Sequence, residues 1–113
     1  MTRPTEKQFQ AGVIKLARSC KWQVYHTYDS RRSQAGFPDL VLVRDVCLFR
    51  ELKTNSGKVS AAQKQWIETL AAAGCDVAIW RPDDWPTIID TLTQRRRSRD
   101  TTDPDASSVA SPR

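Results

Sequence analysis

The 113-residue chain has one histidine, three cysteines, four glycines and one methionine. Cys20, Cys47 and Cys75 are odd in number, far apart and form no CxxC pair. They exclude a zinc ribbon and an obvious disulfide framework, and read as small core residues of a reducing compartment. His26 has no second His or Cys near it, which argues against zinc. No run of 18 apolar residues exists, and Met1–Glu6 holds no apolar stretch of signal type. The expectation is a cytoplasmic protein with no membrane partner. Acidic side chains number 13 against 18 basic ones, for a net charge of +5. The basic excess persists over residues 1–94, so it is not an effect of the arginine-rich end alone, and it favours a polyanionic partner. There is no internal repeat, and the length suits one domain with a modest core.

Charge is also scarce across the central stretch, where it forms a pattern. Gly36-Phe37-Pro38-Asp39 leads into an apolar run, a polar break, a second apolar run and Glu51-Leu52-Lys53. Strand geometry alternates faces, so Glu51 and Lys53 project together and Leu52 opposes them. With Leu40–Val43 and Cys47–Lys53 as antiparallel partners, Arg44-Asp45-Val46 is a hairpin loop. A three-residue loop pairs Val43 with Cys47 and sets Asp39 opposite Glu51. A two-residue loop would set Arg50 there instead and make the carboxylate pair diagonal. Two adjacent carboxylates repel, and a divalent cation such as Mg²⁺ removes that cost while keeping waters and binding phosphate oxygens. A lysine beside the cation can orient water or stabilise phosphate charge. The plain alternative is a turn at Pro38-Asp39 and an exposed same-face pair at Glu51 and Lys53.

The remaining chain frames this stretch. A first helix carries the apolar stripe Phe9, Val13, Leu16 and Cys20, with Thr5 and Gln8 at capping-box spacing and Thr2 as another possible cap. Glu6 either extends its buried face toward a site or simply favours the positive helix end. Trp22–Tyr28 is expected as a strand. His26 on it reads as a hydrogen-bonded sheet residue or as a phosphate or catalytic contact. The polar loop Asp29–Gly36 holds Arg31 and Arg32, whose guanidinium geometry suits phosphate; a solvated connection is the alternative. Both faces of the central hairpin are apolar in the middle, which predicts cover on both sides. Thr54–Val59 is a basic loop containing Lys58. Ser60 caps a second helix that carries Lys64, Trp66, Ile67 and Leu70 and stops at Gly74. Gln63 stands at the capping-box position and on the inward stripe, so cap and site both remain open. Cys75–Trp80 is a last strand. Asp83 or Asp84 can cap a short closing helix over Trp85–Gln94 with Ile88, Ile89 and Leu92 inward. The division expected is a domain over residues 1–94 and a basic, disordered tail over 95–113, which adds weak affinity for nucleic acid.

The order helix, strand, hairpin, helix, strand, helix, with Asp39 and Glu51-Leu52-Lys53, resembles the PD-(D/E)xK nuclease superfamily. Glu6, Gly36-Phe37-Pro38-Asp39, Val59-Ser60-Ala61-Ala62-Gln63, Trp66, Gly74 and Trp80-Arg81-Pro82 resemble a minimal stand-alone VRR-NUC domain of the phage or bacterial kind. That resemblance covers about residues 5–90, the span of one small domain. It implies an α/β, restriction-endonuclease-like αβββαβ core, in which a central mixed sheet is flanked by helices and followed by a short C-terminal helix. It implies Mg²⁺ or Mn²⁺ held by Asp39, Glu51 and the Leu52 carbonyl, with Lys53 as catalytic lysine and Glu6 and Gln63 as helix-borne site residues. The implied reaction is in-line attack of metal-activated water on a DNA phosphodiester, in a bacterial or phage-infected cell.

Stand-alone members resemble Holliday-junction resolvases, which implies a homodimer on branched, four-way DNA with His26, Arg31, Arg32, Lys58 and Lys64 near phosphates. Trp66, Trp80 and Trp85 offer aromatic surface for such a dimer. The rival reading is a DNA- or junction-binding module of the same fold without catalysis. The intact set of Asp39, Glu51 and Lys53 argues against it, because binding alone needs no two carboxylates near a phosphate. A structural protein with a chance motif has least support.

Overall fold

The computed structural model describes residues 3–27 and 35–95. Helix α1 (Glu6–Ser19) starts where Thr5 and Gln8 satisfy each other's backbone: Gln8 N donates to Thr5 Oγ1 at 3.0 Å and Thr5 N to Gln8 Oε1 at 2.9 Å. This reciprocal box settles the cap on Thr5. Phe9, Val13 and Ala17 are its buried stripe. The sheet comes next as β1 (Gln23–His26), β2 (Leu40–Val43) and β3 (Cys47–Leu52), then α2 (Ala61–Ala72), β4 (Asp76–Trp80) and, after a 3-10 turn at Pro82–Asp84, α3 (Trp85–Thr93). The fold is α/β, with the expected αβββαβ order and a short closing helix.

The four strands lie in the order β1-β2-β3-β4; the first two neighbouring pairs are antiparallel and β3–β4 is parallel. Helix α2 supplies the crossover that a parallel pair requires. Val43 pairs with Cys47 and Leu40 with Arg50, so the hairpin loop is Arg44-Asp45-Val46. That register extends to Asp39 opposite Glu51. The two-residue alternative would have shifted every partner by one.

One face of the sheet is sealed. Leu40, Leu42, Leu48 and Leu52 join Phe9, Val13 and Ala17 of α1, Ile88 and Leu92 of α3, Trp22 and Trp80 in a single core. Truncating one of these leucines to alanine costs about 2–5 kcal/mol. Arg44 ties the hairpin loop to both helix ends: Nη1 donates to the Cys20 and Leu92 carbonyls at 3.0 and 3.1 Å, and Nη2 to Gln94 O at 2.6 Å. Its guanidinium lies 4.3 Å from the Trp22 ring centre. This cation at two carbonyl termini stabilises the end of the hairpin remote from Asp39.

The opposite face departs from the expected cover on both sides. Val43 is 42% and Tyr25 64% exposed, and Cys47 is exposed too. Helix α2 buries none of its residues fully and shields only the end near Glu51, where Trp66 packs edge-on to Phe37 at 5.0 Å. The tryptophans are mostly spoken for by packing. Trp80 is in the core, Trp66 meets Phe37, and Trp85 meets Phe9 at 6.2 Å. Smaller corrections concern the termini of elements. The first strand spans Gln23–His26 rather than Trp22–Tyr28, with Tyr28 outside the described residues. Asp84 accepts from Arg81 N at 2.9 Å instead of capping α3 with its side chain. The tail beyond Arg95 also lies outside the described residues. Among those described, no helix is long and apolar enough to cross a membrane.

Candidate active site

The segment before Asp39 is pressed against α2. Gly36 has φ +90, and a Cβ there would meet the Ala62 carbonyl carbon at 2.5 Å and Gln63 N at 2.7 Å. Only glycine permits both the conformation and the approach. Phe37 then sits between Trp66 and Phe49, and Pro38 is fully buried. Thr27 fixes the next step, its N–H donating to Asp39 O at 3.0 Å and its hydroxyl to Pro38 O at 3.3 Å. Nothing in the sequence marks Thr27 for this role; it is one more β-branched residue near a strand end. From the other side, Leu52 N donates to Asp39 Oδ2 at 2.8 Å. Asp39 is thus held by the end of β1 and by β3 together.

Glu51 is 1% exposed. Its Oε2 accepts Gln63 Nε2 at 2.8 Å and faces Lys53 Nζ at 3.6 Å, while its buried Oε1 has no hydrogen-bond partner among the described residues. As the period of two requires, Leu52 turns into the core. Burial first, then the Asp39 charge, push the Glu51 carboxyl up to about 8; Lys53 pulls it down and Glu6 raises it further. A buried carboxylate with an orphaned oxygen beside a second carboxylate is costly as it stands. Its unmet demand is for positive charge, and hard oxygen donors of this kind fit Mg²⁺ or Mn²⁺. Among the described residues no cluster of three His, Cys, Asp or Glu groups placed to hold a metal ion forms.

Gln63 makes the cap and also reaches Glu51. Its N–H donates to Ser60 Oγ at 3.1 Å and its Oε1 accepts Ser60 N at 2.8 Å, leaving Nε2 for Glu51. Glu6 is exposed rather than part of the buried helix face, yet its charge reaches Glu51. His26 is half-buried and paired in register with Leu40, so it shares that residue's face of the sheet; Thr27, not His26, stands opposite Asp39. Lys58 and Lys64 are exposed, in the loop before α2 and in its first turn. Arg31 and Arg32 lie outside the described residues.

The family model of the VRR-NUC domain matches residues 4–84, the span that carries Glu6, Asp39, Glu51, Lys53 and Gln63. The chain belongs to the VRR-NUC family. VRR-NUC domains are part of the PD-(D/E)xK nuclease superfamily, whose members typically use divalent metals. A solved structure named "VRR_NUC domain protein" shares the fold at a TM-score of 0.66 and 23% identity, over 82% of this chain and 88% of that one. No curated protein matches the chain. Membership makes this a nuclease-type, DNA-processing VRR-NUC domain.

Proposed function

We propose that the chain is a Mg²⁺- or Mn²⁺-dependent DNA endonuclease that acts as a homodimer on branched, four-way DNA. The observation that carries the catalytic part is Glu51: buried, with Oε1 unpartnered among the described residues, opposite Asp39 and beside Lys53. Asp39, Glu51 and the Leu52 carbonyl would hold the cation. When bound, it supplies Lewis-acid neutralisation of phosphate charge and makes water more acidic. Asp39 and Glu51 are pre-set for it by the Leu52 N–H and the Gln63 amide. Lys53 places its ammonium where it can orient water and offset charge on the phosphate. Glu6 adds a carboxylate at the start of α1. His26, Lys58 and Lys64, with Arg31 and Arg32, contact phosphates.

The junction reading comes from symmetry. One such site cuts one strand, and a closed two-fold pair matches the approximate dyad of a four-way junction. The exposed Tyr25 and Val43 on the open sheet face support pairing. The test joins light scattering to cleavage of linear, flapped and four-way DNA, with and without Mg²⁺ or Mn²⁺. A dimer that prefers the junction and needs metal is expected. A monomer that cuts linear duplex equally well removes the junction and dimer claims; absence of cleavage on every substrate removes the nuclease claim.

A further inference from the structure

Lys53 stands just past the end of β3, and the loop after it packs along its side chain. The backbone of Lys53 is tied to β4 by its N–H, which donates to Trp80 O at 3.0 Å. The next residue on β4's exit is Arg81. Its Nη1 donates to Thr54 O at 2.7 Å and Gly57 O at 2.8 Å, with Asn55 O at 3.5 Å. Three carbonyls of one short loop therefore converge on one guanidinium nitrogen. The loop itself curls back, Gly57 N donating to Thr54 O at 3.1 Å. A methyl group built on Gly57 would stand 3.4 Å from Lys53 Cδ and 3.1 Å from Thr54 Oγ1, so the loop lies along the lysine stem. The Lys53 side chain is accordingly only 13% exposed.

The other partner in this tie is equally fixed. Arg81 N donates to Asp84 Oδ2 at 2.9 Å and Asp84 N to Arg81 O at 2.8 Å, which locks the turn that aims the guanidinium. Asn55 and Asp83 make a reciprocal second tie, Asn55 Nδ2 to Asp83 Oδ1 at 3.2 Å and Asp83 N to Asn55 Oδ1 at 3.0 Å. A short surface loop needs no such pair of anchors merely to connect a strand to a helix. Guanidinium geometry satisfies several carbonyls at once, whereas an ammonium is a point charge on a flexible stem.

We propose that Arg81 is a positioning residue for the cleavage reaction: by clamping the Thr54–Gly57 loop it fixes where the Lys53 ammonium stands beside Glu51. This rests on the nuclease reading above for its kinetic consequence, but not for its structural one.

The test compares Arg81→Met and Arg81→Lys with the parent. In cleavage, Arg81→Met is expected to lower kcat about 100-fold, the scale for a reacting group displaced by roughly 1 Å. KM and the Mg²⁺ concentration for half-maximal rate stay unchanged, because Asp39 is held by Thr27 and Leu52 N and Glu51 by Gln63, groups to which Arg81 does not bond. Arg81→Lys recovers part of kcat. Independently of activity, the Lys53 ε-methylene resonances of Arg81→Met are expected to differ from the parent's and to lie closer to those of a free lysine, because the stem loses the loop packed along it. A parental kcat, unmoved Lys53 resonances, or a loss in which KM, metal requirement and melting temperature all change together overturns the proposal. Should Arg81→Met fail to fold, Arg81→Lys decides: a reduced kcat with shifted Lys53 resonances supports the clamp, and parental values of both overturn it. If the parent cuts no DNA, the nuclease reading fails while the resonance comparison still decides the role of Arg81.

Discussion

Gln63 and Glu51 are joined by a 2.8 Å hydrogen bond from the same amide whose oxygen caps α2 on Ser60 N. One side chain thereby couples the start of a helix to a buried carboxylate. Gln63→Ala is expected to lower stability by about 0.5–2 kcal/mol through the lost cap, and also to lower the cleavage rate per folded molecule. Gln63→Glu keeps an acceptor for Ser60 N but sets a third carboxylate against Glu51, so it should rescue melting temperature more than rate. Thermal melts beside single-turnover kinetics separate the two. A Gln63→Ala protein with the full rate per folded molecule would leave Gln63 as a cap alone.

Glu51 gives the metal-free protein a definite pH dependence. Its carboxyl is raised to about 8 in the fold, chiefly by burial and then by Asp39, against an ordinary value of 4.5. The folded state therefore holds this proton where the unfolded chain has released it. Stability from this group is fully present below pH 4.5 and is lost as pH rises to 8. Melting temperature measured in EDTA across that window should fall more steeply for the parent than for Glu51→Gln. Adding Mg²⁺ at the upper end of the window should restore the parent, since a ligand that binds only the folded state stabilises it. Identical pH slopes in parent and Glu51→Gln would contradict a carboxyl whose proton is held by burial.

Gly36 is tested by a single methyl group. Gly36→Ala must place a Cβ within 2.7 Å of α2 backbone atoms at φ +90. The left-handed backbone alone costs about 1–2 kcal/mol, and backbone atoms of a capped helix cannot yield cheaply. The segment through Asp39 should move instead. Loss of Mg²⁺ affinity by calorimetry together with a lowered melting temperature is the expected pair of results; an unchanged protein would mean that the loop is not held against α2.

Much of this was legible in the sequence, for reasons that can be named. The hairpin and the odd–even alternation of Glu51, Leu52 and Lys53 are local, whereas the choice between a two- and a three-residue loop, and with it the register, came from the structure. Thr5 with Gln8 and Ser60 with Gln63 announce both helix starts, because capping is local. What was not legible depends on contacts between distant residues. The hairpin is as apolar on one face as on the other, so the sequence could not say that Val43 and Cys47 would stay exposed; α2 proved too narrow to cover them. Thr27, Arg44 and Arg81 act on carbonyls of other elements, and an arginine that binds carbonyls has no spacing signature. Glu6 proved exposed rather than part of the buried helix face, and its charge reaches Glu51 only through the folding of α1 against the sheet, which no local spacing announces.

Lys53 and the two carboxylates should separate by what they do to metal. Asp39→Asn and Glu51→Gln are expected to weaken Mg²⁺ binding and abolish cleavage. Lys53→Ala should abolish cleavage while disturbing binding less, since its ammonium acts on water and phosphate. Calorimetric titration of the three variants checks this. Equal loss of metal in all three would recast Lys53 as a support for Glu51.

The most direct measurement is cleavage of four-way and linear DNA by the parent and by Asp39→Asn, each in Mg²⁺ and in EDTA. Cutting is expected from the parent in Mg²⁺ and in no other combination. Cleavage by the parent in EDTA at the same rate, or by Asp39→Asn at the parental rate, would contradict a metal-dependent nuclease built on Asp39.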